Sequence, residues 1–429
     1  MPFKNKAPLH HRALATVSFG AAAALVLSSC SGSAGGGEAG GSGEGFEYGA
    51  SQEEISEVIA DLEPVTLTYQ PGAASPNTPN AANAHAFVEA IEERSDGKIN
   101  FEVAWGQSIA EHGEIEAALA DGRIDIAFVA PIYQPDEYPV ADSFSKLTHY
   151  SAPSPLVGEV VSAAMMSDLG WNSEELLAEY EEKGLVPLSP LMSSGDYYTA
   201  CGQPGTSLED WDGRQMRIAG SAHSAIAEGI NATGVSMAYN ELFEAIQRGT
   251  VDCTFTQPQV AGGVGIMEAA PYLGIFSDRR MTGSATSGNI AGSGFQSLPL
   301  AYQQIIFDAQ IEHFHGNLVS TMDAALQMVH DLNDAGGEVA TFEPDAEARI
   351  QEIQENLVDD MIAEGRLDED IRDQMQELEE KWTGIVEELG YEDGGSLAEL
   401  DEWYEAGSVD FRPVSQELFE DAALPHRPQ

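Results

Sequence analysis

The feature that most constrains the fold is a regular alternation of strand and helix patterns between residues 65 and 129. Strands are predicted at Val65–Tyr69 and Ile99–Val103, and helices at Ala81–Ser95 and Glu111–Leu119. The run Ile124–Val129 is continuously apolar, which is typical of a strand buried on both faces of a parallel sheet. Because such a repeat needs right-handed crossovers, it predicts an α/β fold built on a parallel sheet.

The same alternation begins again after Ser193-Ser194-Gly195, which we interpret as the crossing point into a second lobe. Strands are predicted there at 197–201, 216–218 and 251–256, and helices at 222–231 and 240–248. From Pro299 the pattern is mainly helical, and residues 300–332 are compatible with one very long helix. We therefore expect lobe I at 61–194 with 283–322, and lobe II at 195–282 with 323–429.

One cation of the second lobe calls for an explanation. Arg217 lies in the short, apolar-flanked strand pattern Gln215–Ile218, in a chain with only 19 Lys and Arg against 71 Asp and Glu. A guanidinium offers two parallel donors to a carboxylate, and the pair is strengthened where water is scarce. Arg217 therefore either binds the carboxylate of a small solute or bridges to one of the acids of the chain.

The formal net charge is −52, and the acids are spread over most of the chain. A hydrophobic content of 43% indicates a globular protein and excludes a disordered acidic one. Such a surface repels nucleic acid and anionic lipid, so no nucleic-acid partner is expected. It fits a halophilic protein, whose self-repulsion is screened by salt; an acidic protein from an ordinary host is the alternative.

The N-terminus has the pattern of a secretory signal over residues 1–29, with a basic start and the apolar run Ala21–Leu27. Leu27-Ser28-Ser29-Cys30 resembles a bacterial lipobox, which implies lipidation of Cys30. A plain signal peptide is the alternative. With 30–60 as a flexible linker, these features predict a domain anchored by lipid outside the cytoplasmic membrane. No other segment reaches the ~18 apolar residues that span a bilayer.

The remaining cysteines, Cys201 and Cys253, lie on predicted strands. In an exported protein they are either a disulfide or two buried thiols, and the sequence does not decide. No zinc motif or phosphate-binding glycine loop is present, so no metal and no cofactor is expected. His313 and His315 are two apart, which places them on different faces of a helix. The nucleophile motif Gly-x-Ser-x-Gly is absent, which disfavours a hydrolase.

Several phrases, in this order, resemble one family. They are GQS at 106–108 with EIEAALADGRIDI to 126, LEDWDGRQMRI at 208–218, ATGVSMAYNELFEAIQRGTVD at 232–252, and SLP at 297–299. The family is the extracytoplasmic solute-binding proteins of TRAP transporters, of DctP type, and the resemblance covers about residues 65 to 345.

The resemblance implies a two-lobe, periplasmic-binding-protein-like α/β fold with a hinged cleft and a long lobe-spanning helix. The implied function is capture of a small organic acid or zwitterion carrying a carboxylate, and its delivery to TRAP membrane subunits. Such a receptor is not an enzyme, and we expect a monomer. The receptor lipoprotein of an ABC importer is the alternative, and a secreted hydrolase is a remote one.

Within the family, the arginine at the place of Arg217 usually holds the ligand carboxylate. Gln257, with its neighbour Thr256, corresponds to a polar position that often faces the ligand. Tyr197 falls where acidic-sugar binders carry a second arginine. The resemblance therefore implies a clamp with a single arginine and argues against sialic-acid-type ligands.

Ligands of open α/β sheets bind beyond the carboxyl ends of the strands. In lobe I this rule selects three predicted loops, which carry Ser75 and Asn77, Tyr133, and Trp105. We expect these side chains to border the cleft, either in contact with the ligand or as an ordinary rim.

Overall fold

The computed structural model describes residues 43–283, 285–286 and 288–429. The expected signal peptide, Cys30 and the first part of the expected linker lie outside these residues. The described part of the chain contains two main sheets surrounded by helices. No helix in this part is both long enough and apolar enough to cross a membrane.

The strands are β1 Val65–Gln70, β2 Ile99–Val103, β3 Ile126–Phe128, β4 Val186–Pro187, β5 Met192–Ser193, β6 Tyr198–Cys201, β7 Gln215–Ile218, β8 Thr233–Ser236, β9 Cys253–Thr256, β10 Tyr272–Ile275, β11 Ala285–Thr286, β12 Asn289–Ala291 and β13 Glu338–Thr341. The helices are α1 Gln52–Ile59, α2 Ala82–Arg94, α3 Ile115–Ala120, α4 Pro139–Ser145, α5 Val157–Trp171, α6 Glu174–Glu181, α7 Leu208–Trp211, α8 Ser221–Gly229, α9 Leu242–Gln247, α10 Pro258–Val264, α11 Ser293–Gln296, α12 Leu300–Asp308, α13 Gln310–Asp334, α14 Pro344–Ala363, α15 Ile371–Glu388, α16 Leu400–Trp403 and α17 Arg412–Leu418.

The first sheet has the strand order β2-β1-β3-β12-β4. β1 runs parallel to both β2 and β3, which confirms the parallel arrangement predicted for residues 65–129. β12 joins from far along the chain and pairs antiparallel with β3 and β4. The apolar run at 185–192 does not form one continuous strand, because only the parts near its two ends form β4 and β5.

The second sheet has the strand order β13-β10-β6-β9-β7-β8. β7 lies parallel between β8 and β9, and β6 pairs antiparallel with β9 and β10. In the β6–β9 pair Cys201 is directly opposite Cys253, with a Cα–Cα distance of 4.1 Å, and the two form a disulfide. Of the two alternatives left by the sequence, the structure has the disulfide.

The single long helix expected at 300–332 is wrong, because the structure has two helices, α12 and α13, that meet at Ala309. Just before this break, Asp308 accepts hydrogen bonds from Arg427 near the C-terminus, at 2.7 and 2.9 Å. Buried apolar residues continue on both sides of the break, so the apolar pattern does not reveal it.

Helix α13 contacts both halves of the molecule through glycines. A Cβ on Gly316 would lie 2.7 Å from the Cα of Asn83 on α2, beside the first sheet. A Cβ on Gly262 of α10, next to the second sheet, would lie 2.3 Å from the carbonyl oxygen of Ala324 on α13. These close approaches confirm the lobe-spanning helix, and they require residues without a side chain at both positions.

Residues 52–59, which were expected to belong to the flexible linker, form helix α1. Ser51 and Glu54 cap it reciprocally, and Ile55 and Ile59 are fully buried. The folded part therefore begins before residue 61. The two isoleucines, four apart on one helical face, were the signal for this helix.

The last helices pack on both halves of the molecule. Helix α14 packs against α8, and α15 packs against α5, where Trp382 Nε1 donates to Asp168 Oδ2 at 2.8 Å. Helix α5 itself was not expected from the sequence, because nearly all of its residues are buried and its polar and apolar faces do not separate. The exact lobe boundaries remain a prediction.

Candidate functional site

A cavity of about 120 Å³ lies between the two sheets. The wall on the side of the second sheet includes Tyr197, Arg217, Ala219, Tyr239, Gln257, Gln259, Val260 and Val264. The opposite wall includes Tyr69, Gly72, Ala74, Asn80, Asn83, Phe128, Ile132, Tyr133, Asn289, His313 and Asn317.

The side chain of Arg217 projects from the central part of the second sheet. Arg217 is 2% exposed and lines the cavity. Nε donates to the carbonyl of Met237 at 3.0 Å, and Nη1 to that of Phe255 at 3.5 Å. These carbonyls orient the guanidinium but do not neutralise it. No Asp or Glu within residues 43–429 that the structure describes forms an ion pair with Arg217.

A second buried arginine behaves in the opposite way. Arg280 is 1% exposed and lies near the crossing between the two halves. Its Nη2 is 2.7 Å from Glu159 Oε1, and its Nε is 3.3 Å from Asp196 Oδ1. Among the described residues, carboxylates therefore pair with the guanidinium of Arg280, and none pairs with that of Arg217.

The positive charge of Arg217 acts on its neighbours. Burial, and then Arg217, lower the pKa of His223 to about 3, so this imidazole is neutral near pH 7. Its Nε2 is 3.1 Å from the carbonyl of Thr282. Burial raises the pKa of Tyr133, and the nearby Arg217 partly offsets this rise. Both side chains are therefore uncharged around the guanidinium.

Gln257 combines two roles in the structure. Its Oε1 caps helix α10 by accepting from the backbone N–H groups of Gln259, at 2.6 Å, and Val260, at 3.3 Å. The residue also lines the cavity. Because the oxygen is used as a cap, the amide nitrogen is the part of this side chain available to a ligand.

Tyr197 lines the cavity directly after the crossing, and its ring packs on that of His223 with centroids 4.9 Å apart. Thr256 precedes Gln257 on β9 but is 1% exposed and does not belong to the cavity lining. Its hydroxyl has no hydrogen-bond partner among the described residues. Thr256 therefore lies behind the wall.

The other loop residues selected from the sequence divide in the same way. Tyr133 lines the cavity, whereas Ser75, Asn77 and Trp105 are absent from its lining. Ser75 forms a turn in which its carbonyl accepts from the Thr78 hydroxyl at 2.8 Å, and Asn77 is exposed. The Trp105 ring packs against the imidazole of His85, with centroids 5.3 Å apart.

Several polar lining residues were not expected from the sequence. Asn80 lies further along the segment that carries Ser75, and Asn83 lies in the first turn of α2, so the strand-end rule was applied a few residues too early. His313 and Asn317 lie four residues apart on one face of α13 and are both buried. Polar residues at this spacing within a largely apolar helix pattern were a usable signal. Asn289 on β12 had no such signal.

The two walls contact each other directly. The Tyr239 hydroxyl donates to the carbonyl of Gly72 at 3.3 Å. Farther out, Lys146 Nζ, which is paired with Asp142, donates to the hydroxyl of Ser221 at the start of α8 at 2.8 Å. The two walls are therefore joined by direct hydrogen bonds beside the cavity.

The comparisons with known proteins agree with this architecture. The sequence model of the family described as bacterial extracellular solute-binding protein, family 7 (DctP), matches residues 72–365. The chain belongs to this family. This match confirms the family resemblance found in the sequence.

Curated relatives share part of the sequence of this family 7 protein. A solute-binding protein of Albidiferax ferrireducens is 25% identical over 226 residues, which are 52% of this chain and 60% of the relative. The C4-dicarboxylate-binding periplasmic protein of Rhodobacter capsulatus is 26% identical over 209 residues, 47% of this chain and 58% of the relative. The chain thus spans about three fifths of the length of these relatives.

Solved structures share the fold of this family 7 protein. An extracytoplasmic solute receptor of Bordetella pertussis that binds pyroglutamic acid is 16% identical, with a TM-score of 0.59 over 74% of this chain and 99% of that one. The periplasmic ectoine-binding protein of the Halomonas elongata TRAP transporter is 18% identical, with a TM-score of 0.59 over 76% of this chain and 100% of that one. The predicted two-lobe fold is confirmed by these likenesses.

Proposed function

We propose that this family 7 protein captures a small organic acid outside the cytoplasmic membrane, closes over it, and delivers it to TRAP membrane subunits. Closure follows from hinge motion between the two halves, and the ligand selects the closed state by contacting both walls. The protein binds the solute without making or breaking a bond in it.

One observation carries the proposal: Arg217 is buried, faces the cavity, and has no carboxylate partner among the described residues. A buried, unpaired charge costs several kcal/mol, so a guanidinium kept in this state calls for an anion from outside the chain. A carboxylate fits its parallel donors. Tyr133, Tyr197 and the amide nitrogen of Gln257 complete the proposed contacts at this end.

The relatives support the ligand class. The similar solved structures include receptors for pyroglutamic acid, galactonate and succinate, all of which carry a carboxylate. Direct ligand contact is not expected for Ser75, Asn77, Trp105 and Thr256, because the cavity lining does not include them.

The location belongs to the same proposal. The signal pattern of residues 1–29 and the lipobox-like Leu27–Cys30 support export and attachment through a lipid on Cys30. A lipid anchor keeps the receptor near the membrane subunits that it serves, as one monomer per anchor.

The test is a thermal-shift screen of the full chain against a panel of small carboxylates, followed by mass spectrometry of the recovered solute. A bound carboxylate raises the melting temperature in proportion to the logarithm of its concentration over Kd. We expect such a rise with the solute recovered unchanged. Conversion of the solute into a product, or no rise with any carboxylate, contradicts the proposal.

A further inference from the structure

The cavity contains very little charge compared with the rest of the molecule. Among the described residues that line it, Arg217 is the only one with a formal charge at neutral pH, and no Asp, Glu or Lys belongs to the lining. His313 does not add a cation, because burial lowers its pKa to about 4. In a chain with 71 acids, their exclusion from this wall constrains the ligand.

The wall opposite Arg217 presents polar atoms that lack partners. Asn289 is 1% exposed; its Oδ1 accepts from the Tyr69 hydroxyl at 2.9 Å, and its Nδ2 has no partner among the described residues. Oδ1 of Asn80 is also buried without a partner in that part of the chain. Both residues line the cavity, so this wall contains one buried donor and one buried acceptor without partners among the described residues.

We infer that the solute carries one carboxylate and no other charge, and that its far end is an uncharged amide, which both accepts and donates hydrogen bonds. This inference rests on the proposed function, because it takes the carboxylate at Arg217 as given. The far end binds Asn289 Nδ2 and Asn80 Oδ1.

The physical reason is the cost of unpaired charge in a closed site. A second carboxylate would need a second cation, and an ammonium group would need a carboxylate, and the described lining supplies neither. Each would lose its hydration without compensation. An amide instead pairs with polar atoms that are otherwise buried unsatisfied, which removes their desolvation penalty.

The size of the cavity also favours a short acid. Its volume of about 120 Å³ is small compared with the roughly 300–1,000 Å³ of pockets for drug-sized ligands. A short acid therefore reaches from Arg217 to the amide wall, and its far end meets Asn80 or Asn289 instead of bulk water.

The experiment is titration calorimetry of the full chain with probes matched in length. The monoamides succinamate, glutaramate and adipamate are compared with the dicarboxylates of the same length, the ω-amino acids of the same length, and branched alkyl acids of the same shape. We expect at least one monoamide to bind at least tenfold more tightly than its dicarboxylate and amino partners.

The outcomes separate the two proposals. Equal or tighter binding of a dicarboxylate or an amino acid, or no binding by any monoamide, overturns this inference while leaving carboxylate capture intact. If no carboxylate of any kind binds, the proposed function itself fails.

The residue assignment is tested with Asn80→Ala, Asn289→Ala and the control Asn100→Ala, an exposed amide on β2. Asn80→Ala is expected to weaken the monoamide at least tenfold and to leave the alkyl acid unchanged. A purely structural role would weaken both equally and would contradict the assignment. Because Asn289 is fully buried, its variant is interpreted only if the melting temperature is preserved, whereas half-buried Asn80 keeps the test decisive.

Discussion

Arg217 and Arg280 show that the same side chain is buried in this protein for two different reasons. Arg280 is held between Glu159 and Asp196 and belongs to the crossing of the chain between the halves. Arg217 is oriented by two carbonyls and faces the cavity. The sequence predicts the strand that carries Arg217, but it does not show which acids come within reach, because that is decided by tertiary packing.

The candidate site could be predicted best where one local rule applied. Arg217, Gln257 and Tyr197 followed from a family phrase or its neighbours, and the structure brings all three into the cavity lining. Asn289 comes from a late strand, and its approach to Arg217 depends on contacts across more than seventy residues. Local pattern carries no information about such contacts.

His223 makes the free energy of unfolding depend on pH. Its pKa is about 3 in the folded protein because of burial and Arg217, compared with about 6.5 in an unfolded chain. Below pH 6.5 the unfolded chain therefore binds a proton that the folded protein does not. The stability from this group is complete above pH 6.5 and falls as the pH decreases toward 3.

We expect wild type to lose about 2 kcal/mol more unfolding free energy than His223→Gln between pH 7 and pH 5. Urea unfolding of both proteins at the two pH values measures this difference. Burial also lowers the pKa of other histidines, such as His112 and His313, but these are common to both proteins. The exposed control His330→Gln should behave as wild type. Parallel pH dependence in wild type and His223→Gln rules out the role assigned to His223.

At the scale of elements, strands and helices with clear periodicity were predicted closely. β2 has the predicted bounds, and β1, β7 and α2 differ from prediction by a residue or so. Elements whose apolar residues show no periodicity were not predicted. Helix α5 is buried on nearly all sides, so its apolar and polar faces do not separate. Strands β12 and β13 are short and join sheets whose other strands come from distant parts of the chain. The break at Ala309 was missed because the apolar pattern continues through it.

The disulfide between β6 and β9 is expected to stabilise the second sheet. Cys201 and Cys253 are separated by 52 residues, and closing a loop of that length in the unfolded chain gives about 4 kcal/mol of stability by chain entropy. We expect the double variant Cys201→Ala/Cys253→Ala to unfold at a lower denaturant concentration by a comparable free energy.

Wild type treated with a reductant is the matched control, because it loses the bond without losing the sulfur atoms. Its stability should decrease toward that of the double variant. If the unfolding midpoint is the same with and without the reductant, the disulfide does not stabilise the second sheet.

At the scale of the whole molecule, charge is segregated. The chain has a net charge of −52, whereas Arg217 is the single cation among the described residues that line the cavity. The acidic exterior repels itself, which destabilises the compact state at low ionic strength. The negative charge of the exterior also repels an approaching anionic solute. Salt weakens this repulsion, because the Debye length decreases to about 3 Å at 1 M.

We therefore expect the melting temperature to fall as sodium chloride is lowered from about 1 M to about 10 mM, where the Debye length grows to about 30 Å. Differential scanning calorimetry across this range measures the effect. An uncharged osmolyte added at low salt is the control, because it does not screen charge. A melting temperature that stays constant over the range removes the argument for a halophilic protein.

The central claim, that Arg217 binds the carboxylate of the solute, is tested most directly by calorimetric titration of wild type, Arg217→Ala and Arg217→Lys with the tightest carboxylate of the panel. The Ala variant should lose roughly 2–5 kcal/mol of binding free energy with the fold intact. The Lys variant should fall in between, because it keeps the charge and loses the paired donors. Arg248→Ala, which removes an exposed cation of the same half, should bind as wild type. A Kd for Arg217→Ala equal to that of wild type would contradict the account.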